Sequence, residues 1–271
     1  MPLAELDDVT LHYQTRGEGS SVIGVMGFGL DQRFWAGQIP TITAQNTFIT
    51  FDNRGTGSST GPLPRSIGEM ASDAVRLLDS LGIERTIVFG VSMGGAVAQH
   101  IALEHPDRVR ALILAATWAR PIEYMLREAE VVRSLLAAAG EDAFVEASIL
   151  HLFTPQFFEI GRDAIEQMIR AFSAGGAPPL PSVEVLSAQL DAIAGHNKLA
   201  ELHRISCPTL VVGGRFDMTV PFFAAEEIAR AIPGAEFEAF DSGHGLMLEE
   251  MDAFNARLGK FLVEVEERAR P

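Results

Sequence analysis

Cysteine is almost absent from this chain, with only Cys207 among 271 residues. One thiol cannot close an internal disulfide, which suits a reducing compartment. The opening residues Met1-Pro2-Leu3-Ala4-Glu5-Leu6-Asp7-Asp8 are acidic and lack the apolar core of a secretory leader, so a cytoplasmic protein is expected. Basic side chains are scarce: 21 Lys and Arg stand against 36 Asp and Glu, a formal charge of −15. Without a basic face to neutralise phosphates, nucleic acid is excluded as a partner, and anionic membrane surfaces are equally disfavoured. No apolar run is long enough to span a bilayer.

Metal and nucleotide signatures are missing too. No histidine, cysteine or carboxylate grouping has metal-ligand spacing, so no metal is expected. Gly27-Phe28-Gly29 lacks the third glycine of a dinucleotide loop, and no helix follows Gly55-Thr56-Gly57, so no nucleotide cofactor is expected either. Internal repeats and low-complexity tracts are absent. What is present is an ordinary globular composition, 47% hydrophobic and 21% charged. A chain of this length can bury about three quarters of its unfolded surface without staples.

Alternation dominates both ends of the chain. Leu3 to Tyr13 switches between apolar and polar around Asp7-Asp8, as an opening β-hairpin does. Continuous apolar runs at Ser21–Met26, Thr47–Phe51, Ile87–Val91, Ala111–Ala116 and Thr209–Gly213, with Glu236–Phe240 last, read as strands of a mostly parallel sheet covered on both faces. Helical spacing fills the gaps at Phe34–Ala44, from a Ser66/Glu69 capping box to Gly82, after Ser92, at Phe222–Ala231 and at Leu246–Val265. From Pro121 to Arg204 the rhythm stops. Only helical patterns occur there, at Ile122–Ala139, Asp142–Phe153, Pro155–Ala174 and Val183–Gly195, with a proline-rich joint at Ala177–Pro181. Four helices are too many for one crossover. They predict a cap of residues 121–204 laid over a core made of 1–120 and 205–271.

The chemistry centres on Gly90-Val91-Ser92-Met93-Gly94, between a strand and a helix. So sharp a turn strains the serine backbone, and its neighbours two residues away must be nearly free of side chain. Such a serine is either an exposed nucleophile at a helix N-terminus or a plain helix cap. Gly57-Ser58-Ser59-Thr60-Gly61 satisfies the same pattern, but Pro62-Leu63-Pro64 follows and blocks a helix, so Ser59 is set aside as a loop residue.

Reactive groups of a parallel sheet gather where strands end. Three strand ends carry them: Ser92, Asp217 in Gly213-Gly214-Arg215-Phe216-Asp217, and His244 in Asp241-Ser242-Gly243-His244-Gly245. A serine hydroxyl needs an imidazole to take its proton and a carboxylate to orient the imidazole. Asp217 could instead cap the helix at Pro221, and Asp241 is its rival; Asp241 lies too close in sequence to hold the ring from the far side. Of seven histidines, only His244 stands in a glycine-flanked strand-end loop. Asp52 and Arg54 are read as loop organisers without chemistry.

Together with Asp52-Asn53-Arg54-Gly55-Thr56-Gly57-Ser58 and the Gly27-Phe28-Gly29 loop, these motifs resemble the α/β-hydrolase family with an inserted helical cap. The resemblance implies an eight-stranded, mostly parallel sheet with helices on both faces. It also implies Ser92 as nucleophile, His244 as base, Asp217 as the orienting acid, and the backbone amides of Phe28 and Met93 as oxyanion hole. Relatives usually carry a histidine before the loop's first glycine; Met26 stands there and cannot brace the loop by hydrogen bonds. Trp118, Tyr124 and Phe153 are expected to line an apolar pocket facing Ser92. The expected activity is cofactor-free hydrolysis of a small to medium, largely apolar ester or lactone. Two other readings share the triad: a hydrolase of carbon–carbon bonds in diketone-like substrates, and a slow-turnover ligand receptor, whose loop Gly27–Gln32 and Trp35 resemble. An aspartate nucleophile, as in dehalogenases and epoxide hydrolases, is argued against by Ser92.

Overall fold

The computed structural model describes residues 2–172 and 180–268. Strands β1 (Leu3–Leu6) and β2 (Val9–Arg16) form the antiparallel hairpin, turning at Asp7, whose φ is 33°. The chain continues through β3 (Ser20–Val25), α1 (Ile39–Thr43), β4 (Asn46–Phe51), α2 (Ile67–Ser80), β5 (Thr86–Val91), α3 (Met93–Glu104) and β6 (Val109–Ala115). Four helices follow: α4 (Glu123–Leu152), α5 (Pro155–Ile160), α6 (Arg162–Phe172) and α7 (Val183–Ala194). Then come β7 (Thr209–Gly214), α8 (Phe222–Ala231), β8 (Glu236–Phe240), α9 (Leu246–Glu249) and α10 (Met251–Arg268).

The eight strands make one sheet in the order β1-β2-β4-β3-β5-β6-β7-β8. Only the β1–β2 and β2–β4 pairs are antiparallel; all pairs from β4 to β8 are parallel. Central strands read as continuous apolar runs because both faces are covered. Val88, Leu112, Leu114 and Val211 pack against α2, α3 and α8 on one face. Their neighbours Ile87, Phe89, Ile113 and Leu210 point the other way, onto Phe254, Leu258 and Phe261 of α10. A third apolar cluster, with Leu136, Phe144, Ile149, Phe157 and Leu186, belongs to the inserted helices.

Several predicted helices are shorter than their apolar spacing suggests. The Phe34–Ala44 pattern is a 3₁₀ turn at Gln32–Gly37, capped by the Asp31 carboxylate, followed by the separate α1 with a proline in its first turn. Glu250 interrupts the predicted closing helix between α9 and α10. The first two predicted helices of the insertion are both present within α4, parted at Gly140, where φ is 82° and ψ −175°. Only glycine adopts that conformation without strain. The predicted Pro155–Ala174 helix breaks at Gly161, over which the Phe157 ring lies so closely that a Cβ would come within 2.6 Å of it. Ala174 and the Ala177–Pro179 part of the proline-rich joint lie outside the described residues.

The Ser66 hydroxyl accepts from the Glu69 amide as a capping box requires, but the Glu69 carboxylate reaches one residue further, to the Arg65 amide. Among the described residues, no helix is long and apolar enough to cross a membrane, and no group of His, Cys, Asp or Glu could hold a metal ion.

Candidate active site

Ser92 joins β5 to α3 with φ 54° and ψ −121°, outside the regions that L-residues ordinarily occupy. Such a backbone costs about 1–3 kcal/mol and persists only where the surroundings over-determine it. They do so here. The Ser92 amide donates to Ala115 O at 2.9 Å, and its carbonyl accepts from Thr117 Oγ1 at 2.8 Å. Side chains at the flanking glycines are sterically barred: a Cβ on Gly90 would lie 2.2 Å from Gly94 O, and one on Gly94 2.0 Å from Val25 O. The Ser92 side chain makes no capping bond to α3, so the plain helix-cap alternative is not the one this turn adopts. Its hydroxyl faces the loop after β3 instead, where a Cβ on Gly27 would stand 3.6 Å from Ser92 Oγ.

That loop is braced although Met26, before its first glycine, has no side-chain hydrogen bond to offer. Asn53 Nδ2 donates to Met26 O at 3.0 Å, and Leu30 N to Gly27 O at 3.4 Å. Gln189, a fully buried residue of α7, accepts from the Gly29 amide at 2.9 Å and donates to Thr56 Oγ1 at 3.2 Å. One amide side chain therefore ties the loop that carries Phe28 to both the inserted helices and the Asn53–Thr56 turn. No sequence signal marks it, since Gln189 reads as an ordinary helical position. Gln189→Leu deletes both bonds; if the Phe28 amide acts as the sequence resemblance implies, kcat is expected to fall about 10–100-fold with KM little changed, as for a displaced reaction-site donor. Steady-state kinetics on one ester substrate checks this.

At the neighbouring strand ends, Arg215 N donates to Phe240 O and Phe216 N to Ser242 O, drawing the loops after β7 and β8 together. There His244 Nδ1 donates to Asp217 Oδ2 at 2.7 Å, with both side chains buried. The other Asp217 oxygen accepts from the amides of Thr219 and Val220, each at 2.8 Å. Asp217 thus holds the imidazole and folds the loop ahead of α8, without capping that helix, whose N-cap Pro221 has no side-chain cap bond. Asp241 does neither: it is exposed and pairs with Arg215 at 3.0 Å. Burial pushes the His244 pKa down, while the charge and hydrogen bond of Asp217, with the charge of Glu128, push it up; the net shift is upward. Held by Nδ1, the ring leaves Nε2 for proton transfer.

The inserted helices dock on these same two loops. Tyr124 Oη donates to Met218 O at 2.5 Å, beside Asp217. The Gly245 amide donates to Leu152 O at 2.7 Å, and the Phe153 ring covers Gly245 so closely that a Cβ there would come within 2.2 Å of it. Glu249 accepts from the Gly243 and Thr154 amides and from the Thr154 hydroxyl, clamping the His244 turn to the start of α5. Phe28 meets Phe144 edge-on at 6.3 Å. Of the predicted pocket residues, Tyr124 and Phe153 therefore lie against the Asp217 and His244 loops. Trp118 is placed differently, buried at the end of β6 with its ring edge-on to His196 and its carbonyl held by Gln99. Burial pushes the His196 pKa down to about 3, leaving a neutral ring on Gln99 Oε1.

The second G-x-S-x-G stretch also contacts a histidine and an aspartate, in a different arrangement. His12 Nδ1 donates to Asp52 Oδ2 at 2.8 Å, but Ser59 Oγ donates to Asp52 O and accepts from the His12 amide. Its hydroxyl is committed to main chain, and Asp52 also accepts from the amides of Gln32 and Ser58.

Comparison with known proteins agrees with this architecture. A family profile described as alpha/beta hydrolase fold matches residues 21–251. A protein of Azorhizobium caulinodans provisionally named carbamate hydrolase RutD is 32% identical, covering 98% of this chain and 100% of its own length. A protein of Caulobacter vibrioides with the same provisional name is 31% identical over 93% of this chain and 95% of its own. Among solved structures, the enol-lactonase of Burkholderia xenovorans LB400 superposes with a TM-score of 0.88 at 26% identity, covering 97% of this chain and 100% of its own. A thermophilic esterase of Thermogutta terrifontis gives 0.86 at 28% identity, over 98% and 99%.

Proposed function

Because the chain belongs to the alpha/beta hydrolase family, we propose that it is a serine hydrolase cleaving small to medium, largely apolar carboxylic esters or lactones through an acyl-enzyme on Ser92. The observation that carries this reading is the 2.7 Å His244–Asp217 bond on the sheet edge where Ser92 stands strained and uncapped. In this reading His244 Nε2 takes the Ser92 proton as Oγ attacks the carbonyl carbon, and Asp217 keeps Nδ1 protonated and stabilises the imidazolium. The amides of Phe28 and Met93 hold the tetrahedral oxyanion, and α3 adds the positive end of its dipole. The imidazolium then protonates the leaving oxygen. Water, deprotonated by His244, attacks the acyl carbon and frees Ser92. No cofactor is required. Residues 121–204 act as a cap, with Tyr124 and Phe153 assigned to its substrate side; Trp118, buried against His196, is not. The partner is a small molecule, not nucleic acid or membrane.

Relatives bearing the names carbamate hydrolase, enol-lactonase and esterase share one step, nucleophilic attack on an acyl carbon, and that step is what supports the assignment. The test is turnover of p-nitrophenyl esters of graded acyl length and of a matched lactone series, with mass spectrometry of the protein after a fluorophosphonate. Turnover with labelling at Ser92 supports the proposal. Absence of both overturns it.

A pH profile follows from His244. The base must be neutral to accept a proton, and its pKa lies above the usual 6.5. Activity is therefore lost as pH falls through a value above 6.5, the acid limb of kcat/KM. A limb well below 6.5 would contradict that assignment.

A further inference from the structure

Helix α4 is pinned over the site at two points. Near its start, Tyr124 Oη reaches the Met218 carbonyl beside Asp217. Beyond the Gly140 bend, its last residue Leu152 takes the amide next to His244. Glu128 follows Tyr124 by one helical turn and so shares its face of the helix. The returning segment brings His151 Nδ1 to 4.0 Å from Glu128 Oε1. A carboxyl only 19% exposed is thereby held between the acid loop and the base turn. The groups facing it are Tyr124 and His151 on α4, Asp217 after β7 and His244 after β8.

We infer that Glu128 is the specificity-determining group of this site, accepting a hydroxyl, amide N–H or ammonium from the substrate's non-scissile end and turning away carboxylates. This rests on the serine-hydrolase reading. Two physical arguments support it. A largely buried carboxyl one turn from the Tyr124 that touches the acid loop, and within reach of the charges of His244 and Asp217, stands beside the groups that act on the substrate in that reading. Its charge is also in play at working pH: burial and the charge of Asp217 raise its pKa, His244 opposes them, and the result is about 7. Below about 7 it is a neutral acid that donates and accepts; above, an anion that attracts an ammonium and repels a carboxylate.

The test uses esters identical except for a terminal methyl, ammonium or carboxylate, measured from pH 6 to 8.5 with the wild type and Glu128→Gln. In the wild type the ammonium-to-carboxylate ratio of kcat/KM should rise about tenfold as pH passes 7, the size expected for one partly screened charge pair. Glu128→Gln, an uncharged isostere, should flatten that rise. A ratio that is flat in the wild type, or that rises equally in Glu128→Gln, while the methyl ester is still cleaved, overturns the inference and leaves the hydrolase reading intact. If no ester is cleaved, the hydrolase reading falls and the inference with it; where esters are cleaved, a second measurement checks that the Glu128 charge reaches the site. Titration of the His244 ring by NMR should give a lower pKa in Glu128→Gln, because one of the charges that raises it is gone; an unchanged value overturns the inference.

Discussion

On the proposed mechanism, Ser92→Ala is expected to lower kcat/KM on ester substrates by about 10⁵-fold or more, the scale on which loss of an activated serine nucleophile is felt. A residual rate above water remains, because the oxyanion donors and the binding surface survive. The companion variant Ser92→Gly separates nucleophile from scaffold. At φ 54° and ψ −121° a Cβ is held in a conformation that glycine adopts freely. Removing it relieves about 1–2 kcal/mol of strain and offsets this in part by a more flexible unfolded chain. Ser92→Gly is therefore expected to be inactive and at least as heat-stable as the wild type, whereas exchange of a capping serine for glycine would destabilise by roughly a few tenths of a kcal/mol. Thermal unfolding followed by circular dichroism, beside ester kinetics, gives both numbers. Lower stability in Ser92→Gly would mean that the serine serves structure rather than chemistry.

Strain of this kind is half legible before any coordinates: glycines at 90 and 94 announce a tight turn, but a serine that merely caps the helix fits them as well until the φ of 54° is known. The strands are plainer: a run such as Ile87–Val91 can only be buried on both faces, and alternation along it splits its side chains between two helical layers. Asp217 and His244 are recoverable because chemistry limits what may stand at a strand end. The insertion is where sequence reasoning loses its grip. Helical periodicity says which face of α7 is buried, but not that the polar residue on that face, Gln189, meets the Gly29 amide. Glu128 and Glu249 are similarly silent, since their meaning comes from helices docking onto loops far away in the chain. The break at Gly140 falls between two predicted helices, whereas the one at Gly161, inside the predicted Pro155–Ala174 helix, is missed for a related reason. A glycine in a helical pattern is tolerated often enough that only its packing decides between a bend and an uninterrupted helix.

Arg54 shows how a residue with no part in the chemistry can still control whether the site exists. Its guanidinium is wholly buried, with Nε and Nη2 on the two oxygens of Asp73 at 2.6 and 2.7 Å, and with Glu69 at 3.2 Å and Asp8 at 3.5 Å. Taking Arg54 away removes the one fully buried cation of the cluster and leaves Asp73 and Glu69 to the more exposed Arg76 and Arg65. Breaking a buried pair costs about 3–5 kcal/mol. For a chain of this size Arg54→Ala should lower the melting temperature by about 6–15 °C at pH 7. Arg54→Lys should recover only part of this, because an ammonium cannot make the two-pronged contact with Asp73. Double replacement with Asp73→Asn should cost less than the sum of the two single changes, the signature of a coupled pair. The damage should also reach the chemistry: the residue before Arg54 is Asn53, whose side chain holds the Met26 carbonyl at the root of the Phe28 loop. At temperatures where Arg54→Ala is still folded, kcat should therefore drop while KM changes little. An Arg54→Ala protein as stable as the wild type would show that the cluster is not a buried ion pair of this strength.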